Sequence, residues 1–392
     1  MWKIRFHTVG ACVALGVMLP LVLTTLAGSA GAQPSGALYV AQWGSDSNAC
    51  THAKPCHTIN HAISVAPRGG TVQVEPGTYH QSVIIEKPIT LIGNDAIVDG
   101  WGLDPGDPLV GVVYIGGPGG TTASDHIGGD VTVSGFTFDN PNPDGQTAGD
   151  NPCLQPIIIG IYDGDRHDVI TIANDHLVEG TQDPAAVYDG PVGIDSLVSW
   201  ASLVVTNTTI DGVWQGILLE DNGKSTLSGN TVSDLIPFDV PNTSPTLLDS
   251  SPTESQQCVA LAGEYGTTPY QAEGVLLLAD DVHHGMTDQD VTNNTFSGYP
   301  GDGVDVASAY AAGHLSDVTV SDNSFDLGGF SGAGAINVVA DNGGTVSGVT
   351  IKGNIGRVKA PTKTITENDN GGPSNGGGTI SDVTRIGNDI AG

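Results

Sequence analysis

The sequence predicts an all-β fold: a right-handed parallel β-helix closed at one end by a short N-terminal capping helix. Three observations point there. Short Val/Ile/Thr runs alternate with Gly, Asn and Asp clusters, and the chain holds 56 Gly with only 5% aromatic and 14% charged residues. That is the pattern of many strands and turns rather than of long helices. Secondly, one segment recurs without gaps as Leu315–Asn323, Val346–Asn354 and Ile380–Asn388, with a weaker copy at Met286–Asn294. Each copy carries its Asn eight residues after the first apolar position, and successive copies start 29, 31 and 34 residues apart. Thirdly, another strand type interleaves with it, beginning at Gly216, Gly274, Gly303 and Ala335. A period of this length marks a solenoid, in which no single turn can bury its own apolar face and stacking supplies the core.

The elements follow in order. Residues 1–32 read as a cleavable export signal: Lys3 and Arg5, an apolar run from Val9 to Leu26, then Ala30-Gly31-Ala32 before Gln33. Residues 33–100 form the N-terminal cap and first coils. Within them Ile59, Ala62, Ile63 and Ala66 lie at helical spacing, and Pro67 to Gly70 end the helix. Such a helix covers apolar interior and unpaired strand edges at the open end of a coil. Residues 101–392 carry the repeats, with long connections at 139–155 and 236–272. Looser relatives of the Asn segment run from Val131 to Phe138, Val169 to Leu177, Val204 to Ile210 and Ser225 to Val232. Each coil therefore has at least two strands. The recurring Asn230, Asn294, Asn323 and Asn354 are expected to stack as a hydrogen-bonded ladder.

Composition excludes some partners. The formal net charge is −31, with 12 Lys+Arg against 43 Asp+Glu, so the basic footprint that nucleic acid requires is missing. After the leader no run is long and apolar enough to span a bilayer. Export agrees with cysteine usage: beyond Cys12 in the leader there remain Cys50, Cys56, Cys153 and Cys258, an even set for an oxidising compartment. Cys50 with Cys56 is the local pairing, which leaves Cys153 with Cys258.

The segment from Tyr39 to Gly93, with Gly44-Ser45-Asp46, Cys50, Pro55-Cys56, Val72-Gln73-Val74-Glu75-Pro76-Gly77-Thr78-Tyr79 and Ile89-Thr90-Leu91-Ile92-Gly93, resembles the pectin-lyase-like superfamily of right-handed β-helix proteins. The resemblance implies the fold. It does not select an activity, because that superfamily includes lyases, hydrolases, esterases, epimerases and proteins with no known reaction. The basic catalytic motif of the pectate lyases and the spaced Asp and His motifs of the polygalacturonases find no match here.

Candidate chemistry comes from alignment of the second strand type. Gln215, Glu273 and Asp302 share one column just before the repeated Gly or its equivalent. Asp305 stands two residues after Gly303, with Asn337 in its column one coil later; Asp195 shares that column several coils away. Rungs ~4.8 Å apart would bring Glu273, Asp302 and Asp305 together. Close carboxylates serve glycoside hydrolysis, one as acid and one as base or nucleophile. They can instead hold Ca²⁺ and bridge an acidic sugar. Trp214, Gln215, Asn337 and Arg166 are the expected substrate contacts, with Tyr265 and Tyr270 as further sugar-stacking candidates. Arg166 lies in the charged turn Asp163–Asp168. His283-His284 after Asp280-Asp281 have metal-ligand types but alternate across a strand, so they read as a solvated turn.

The reading is a secreted coil that binds or cleaves a polysaccharide, including uronate-containing ones, through a groove on its side. Its alternative is a non-catalytic carbohydrate-binding, surface or structural coil.

Overall fold

The computed structural model describes residues 36–99, 111–116, 126–140, 157–179, 192–197, 199–236, 272–279, 285–309, 313–369 and 377–392. Residues 141–155 and 237–271 of the long connections, with Cys153, Cys258, Tyr265, Tyr270, and also Asp280, Asp281, His283, His284 and the leader, lie outside them. Strand pairs run parallel, each strand bonding to its equivalent one coil before and one coil after. The coil is a right-handed parallel β-helix, the hand that crossovers between parallel strands of one sheet adopt.

Each coil carries three strand positions, within the expectation of at least two. A front face stacks Ile157–Tyr162, Val192–Leu197, Gln215–Glu220, Ala272–Ala279, the second half of Thr295–Ser308, and Gly334–Ala340. A floor holds the apolar-to-Asn segments, with Met286 opposite Leu315 and Leu315 opposite Val346, as the ungapped repeats require. After the Asn turn comes a short third strand, as in Thr209–Asp211, Thr231–Ser233 and Ser324–Gly328.

The turn between floor and third strand is built by the Asn ladder. Asn230, Asn294, Asn323 and Asn354 are each at most 2% exposed. The Oδ1 of Asn294 accepts from the backbone N–H of Asn230 at 2.9 Å and from its Nδ2 at 3.0 Å. Asn323, Asn354 and Asn388 repeat this towards the C-terminus. Every Nδ2 also donates to a floor carbonyl of the preceding coil, Asn323 to Val291 at 2.9 Å. Buried amides thus reach saturation, which an interior turn demands. The ladder begins earlier than Asn alone reveals: Thr208 and Asp175 hold equivalent positions, their carbonyls accepting from Thr231 and Thr209 as Asn230 accepts from Thr295.

At the N-terminal end Ile59–Val65 is helical, capped by Thr58, whose side chain accepts from the His61 N–H. Ile59, Ala62 and Ile63 bury into the same core as Val72, Val74 and Ile85. Cys50 and Cys56 form a disulfide beside it. Among the described residues no helix is long and apolar enough to cross a membrane.

Candidate functional site

The acidic column forms where the front strands lie close against their neighbours at their glycines. A Cβ at Gly274 would sit 2.5 Å from the Gly303 carbonyl and 2.5 Å from the Tyr299 hydroxyl; one at Gly303 would lie 2.4 Å from the Phe325 ring. The third-strand aromatics Phe296 and Phe325, stacked 5.2 Å apart, fill the space beneath. Only glycine lets the strand settle on them. The acid just before it then joins, on the outer side, the residue three positions further along the strand.

Register sets the neighbours. Gln215 pairs with Glu273, and Glu273 with Asp302; Leu276 pairs with Asp305, and Asp305 with Asn337. Carboxylate oxygens of Glu273, Asp302 and Asp305 all lie within 4.8 Å of one another. Gln215 Nε2 donates to Glu273 Oε2 at 2.7 Å. Asp302 Oδ1 accepts from the Gly334 N–H and from Asn337 Nδ2, each at 2.5 Å. Thr366, one rung on, donates its hydroxyl to Asn337 Oδ1 and so fixes which end of that amide faces Asp302. Thr366 escapes the column alignment because its strand, Lys363–Asn368, lacks the leading glycine that marks the others.

The trio is deeply set. Asp302 is 0% exposed and Glu273 and Asp305 are 9% exposed, although a side groove predicts open carboxylates. Asp302 Oδ2 and Asp305 Oδ1 are buried with no hydrogen-bond partner. Burial raises the Glu273 carboxyl to about 7, against the bond from Gln215. Burial, then the Asp305 charge, pushes Asp302 well above the carboxylate range, with Glu273 adding to it and the Gly334 and Asn337 donors opposing. Asp305 moves the same way through burial and the Glu273 charge. Near neutral pH the cluster holds protons that solvated carboxylates would lose, or it needs positive charge.

The other expected contacts divide. Trp214 adjoins the trio through its backbone, its carbonyl accepting from the Glu273 N–H at 3.3 Å. Arg166 does not reach it. The Arg166 turn follows Ile157–Tyr162, four rungs from the Asp302 strand, or ~19 Å along the stack. Its guanidinium instead lies 4.8 Å over the Trp200 ring. Asp195 is three rungs from Asp305 and outside the cluster, as its spacing predicts; burial alone raises its carboxyl to about 7.

Fold and site together define a parallel β-helix protein with a buried three-carboxylate centre on its front face, and the likeness to the pectin-lyase-like superfamily holds at the level of fold. Residues 42–236 match a family model described as "Protein of unknown function (DUF1565)". The uncharacterized protein YwoF of Bacillus subtilis (strain 168) is 26% identical over 174 residues, 41% of this chain and 33% of that protein. The match therefore spans a third of the curated relative's length. Among solved structures, a GH136 lacto-N-biosidase from Eubacterium ramulus is 12% identical, with 91% of this chain and 68% of that chain covered at a TM-score of 0.42. An endo-xylogalacturonan hydrolase from Aspergillus tubingensis is 12% identical, covering 91% and 93% at 0.44. A tailspike protein of E. coli bacteriophage HK620 in complex with a pentasaccharide is 13% identical, covering 90% and 67% at 0.44.

Proposed function

We propose that this is an exported protein that engages a polysaccharide at its front face and cleaves it with Glu273, Asp302 and Asp305. The observation that carries this reading is the meeting of three carboxylates from two adjacent rungs, all within 4.8 Å. Glu273, raised to about 7, can give and take a proton near neutrality, as a general base must. Asp302 and Asp305 are pushed higher still, so either would be the protonated acid, with Glu273 as base or nucleophile. Their closeness matches the ~5 Å separation of retaining glycosidases better than the ~6.5–9.5 Å of inverting ones. Export rests on the leader and on the Cys50–Cys56 disulfide.

A second reading has its own support. Asp302 Oδ2 and Asp305 Oδ1 lack partners, and oxygens on one Ca²⁺ at ~2.3–2.6 Å lie at most about 5 Å apart. The trio fits such an ion, which would neutralise and bridge a uronate.

The test is incubation of the mature protein with pectin, alginate and neutral glycans, with and without Ca²⁺, following reducing ends and unsaturated products. Cleavage is expected, falling at least 100-fold in Glu273→Gln. No product from any polymer overturns the catalytic reading. Glycan binding that survives both Glu273→Gln and Asp302→Asn would leave a non-catalytic binding coil.

A further inference from the structure

Asp302 is held from the C-terminal side by a chain of contacts that runs through two further rungs. Its Oδ1 accepts twice, from the Gly334 N–H and from Asn337 Nδ2, each at 2.5 Å. Its Oδ2 is enclosed and has no hydrogen-bond partner. Asn337 Oδ1 accepts in turn from the Thr366 hydroxyl. Asp305 pairs with Asn337 and Asn337 with Thr366, so the Thr366 strand lies two rungs, or ~10 Å, beyond that of Asp302. Thr366 therefore reaches the trio only through the amide.

Each link depends on its residue type. Asn337 stands in the Asp305 column and must bend back one rung to meet Asp302. Gly334 gives it room: a Cβ there would stand 2.6 Å from Asn337 Oδ1. Asn337 is 4% exposed, and a buried amide needs a donor for its oxygen as well as an acceptor for its nitrogen. Asp302 supplies the acceptor at one end. Among the described residues Thr366 supplies the donor at the other. An amide engaged at both ends cannot turn over without facing its oxygen to a carboxylate. Valine has the shape of threonine without the hydroxyl, so it would leave Asn337 Oδ1 unsatisfied and the amide free to rotate.

We propose that Thr366 is a positioning residue of the front-face centre: through Asn337, in the space left by Gly334, it turns the Asp302 carboxyl so that Oδ1 is fully engaged and Oδ2 alone is left for Glu273 and Asp305. The kinetic consequence rests on the cleavage reading; the orientation rests on the hydrogen bonds alone. Thr366 touches no substrate atom in this role. Asp302 is itself 0% exposed, so loss of the Thr366 hydroxyl acts on the chemical step rather than on substrate binding.

Two measurements on the intact protein test it. In the cleavage assay Thr366→Val should lower kcat about tenfold, the effect of one buried group left unsatisfied, with KM nearly unchanged. Thr366→Ser, which keeps the hydroxyl, should restore the wild-type rate. Because Thr366 works through the amide, Thr366→Val should cost nothing further in an Asn337→Ala background. An unchanged kcat in Thr366→Val, equal losses in Thr366→Val and Thr366→Ser, or additive losses in the double variant overturn the proposal. The second measurement needs no substrate: the side-chain amide resonances of ¹⁵N-labelled protein, with the Asn337 pair identified by its absence in Asn337→Ala. Wild type and Thr366→Ser should hold that pair in slow exchange with solvent, and Thr366→Val should speed the exchange about tenfold. Should no polymer be cleaved, the cleavage reading falls while this spectrum still decides the relay: equal exchange in Thr366→Val and wild type overturns it.

Discussion

Asn323 serves four hydrogen bonds from one side chain: two accepted from Asn294, one donated to the Val291 carbonyl and one to Asn354. Replacing it by Ala strands buried donors and acceptors on both neighbouring coils, at ~1–3 kcal/mol for each group left unsatisfied. Asn323→Ala is expected to lower stability by roughly 3 kcal/mol, measured as a fall in the urea midpoint with little change in slope. Asp302 should behave in the opposite way. Its carboxyl is buried beside two others and has one bare oxygen, so its charge opposes folding. Asp302→Asn is expected to raise the urea midpoint at pH 8 in a chelator while abolishing cleavage, the trade between stability and a strained site. A midpoint unchanged or lowered would mean that the acid is a structural member of the front face.

At the scale of elements, the glycine that begins each front strand ties packing to the site. A methyl group at Gly303 would meet the Phe325 ring and the Ala335 carbonyl at 2.4 and 2.5 Å. Gly303→Ala should destabilise by ~1–3 kcal/mol, the usual cost of overpacking, and displace Asp302 and Asp305 together. Cleavage should therefore fall further than stability, a split visible in kcat at a temperature where circular dichroism is unchanged. These glycines are also why the site was legible: they align the front strands, and Gln215, Glu273, Asp302, Asp305 and Asn337 take the expected neighbours. The Asn segments align the floor in the same way. The third strand escaped notice because three-residue pieces such as Thr231–Ser233 have too little alternation to stand apart from the turn before them. Thr208 and Asp175 escaped because the ladder position was recognised by its amide, and these two fill it with other chemistry. Burial of the trio was illegible for a different reason. Acidic residues at outward strand positions predict exposure, and only three-dimensional packing encloses them.

At the scale of the whole molecule, the local and global electrostatics act in one direction. Burial raises Glu273, Asp195 and Asp175 to about 7 each and Asp163 to about 6, and Asp302 and Asp305 also move up. A carboxyl whose folded pKa exceeds its unfolded value binds protons more tightly when folded. Its stabilising contribution is complete below the ordinary carboxylate range and is lost as pH rises through the folded value. The window opens at ~4, passes through about 7 for Glu273, Asp195 and Asp175, and extends further up for Asp302 and Asp305. Over the same range the chain gains negative charge towards its formal −31, and self-repulsion disfavours the compact state. Most proteins lose stability when acidified because paired carboxylates are protonated; here unpaired, buried ones dominate. In a chelator at low salt the melting temperature is therefore expected to be higher at pH 5 than at pH 8. Added NaCl should narrow the gap only in part, because salt screens surface charges over ~10 Å but barely reaches enclosed ones. Millimolar Ca²⁺ should narrow it further, by meeting the charge at the trio. Scanning calorimetry at the two pH values, with each addition made separately, separates the contributions; a higher melting temperature at pH 8 in chelator would show that the buried carboxyls are not holding protons.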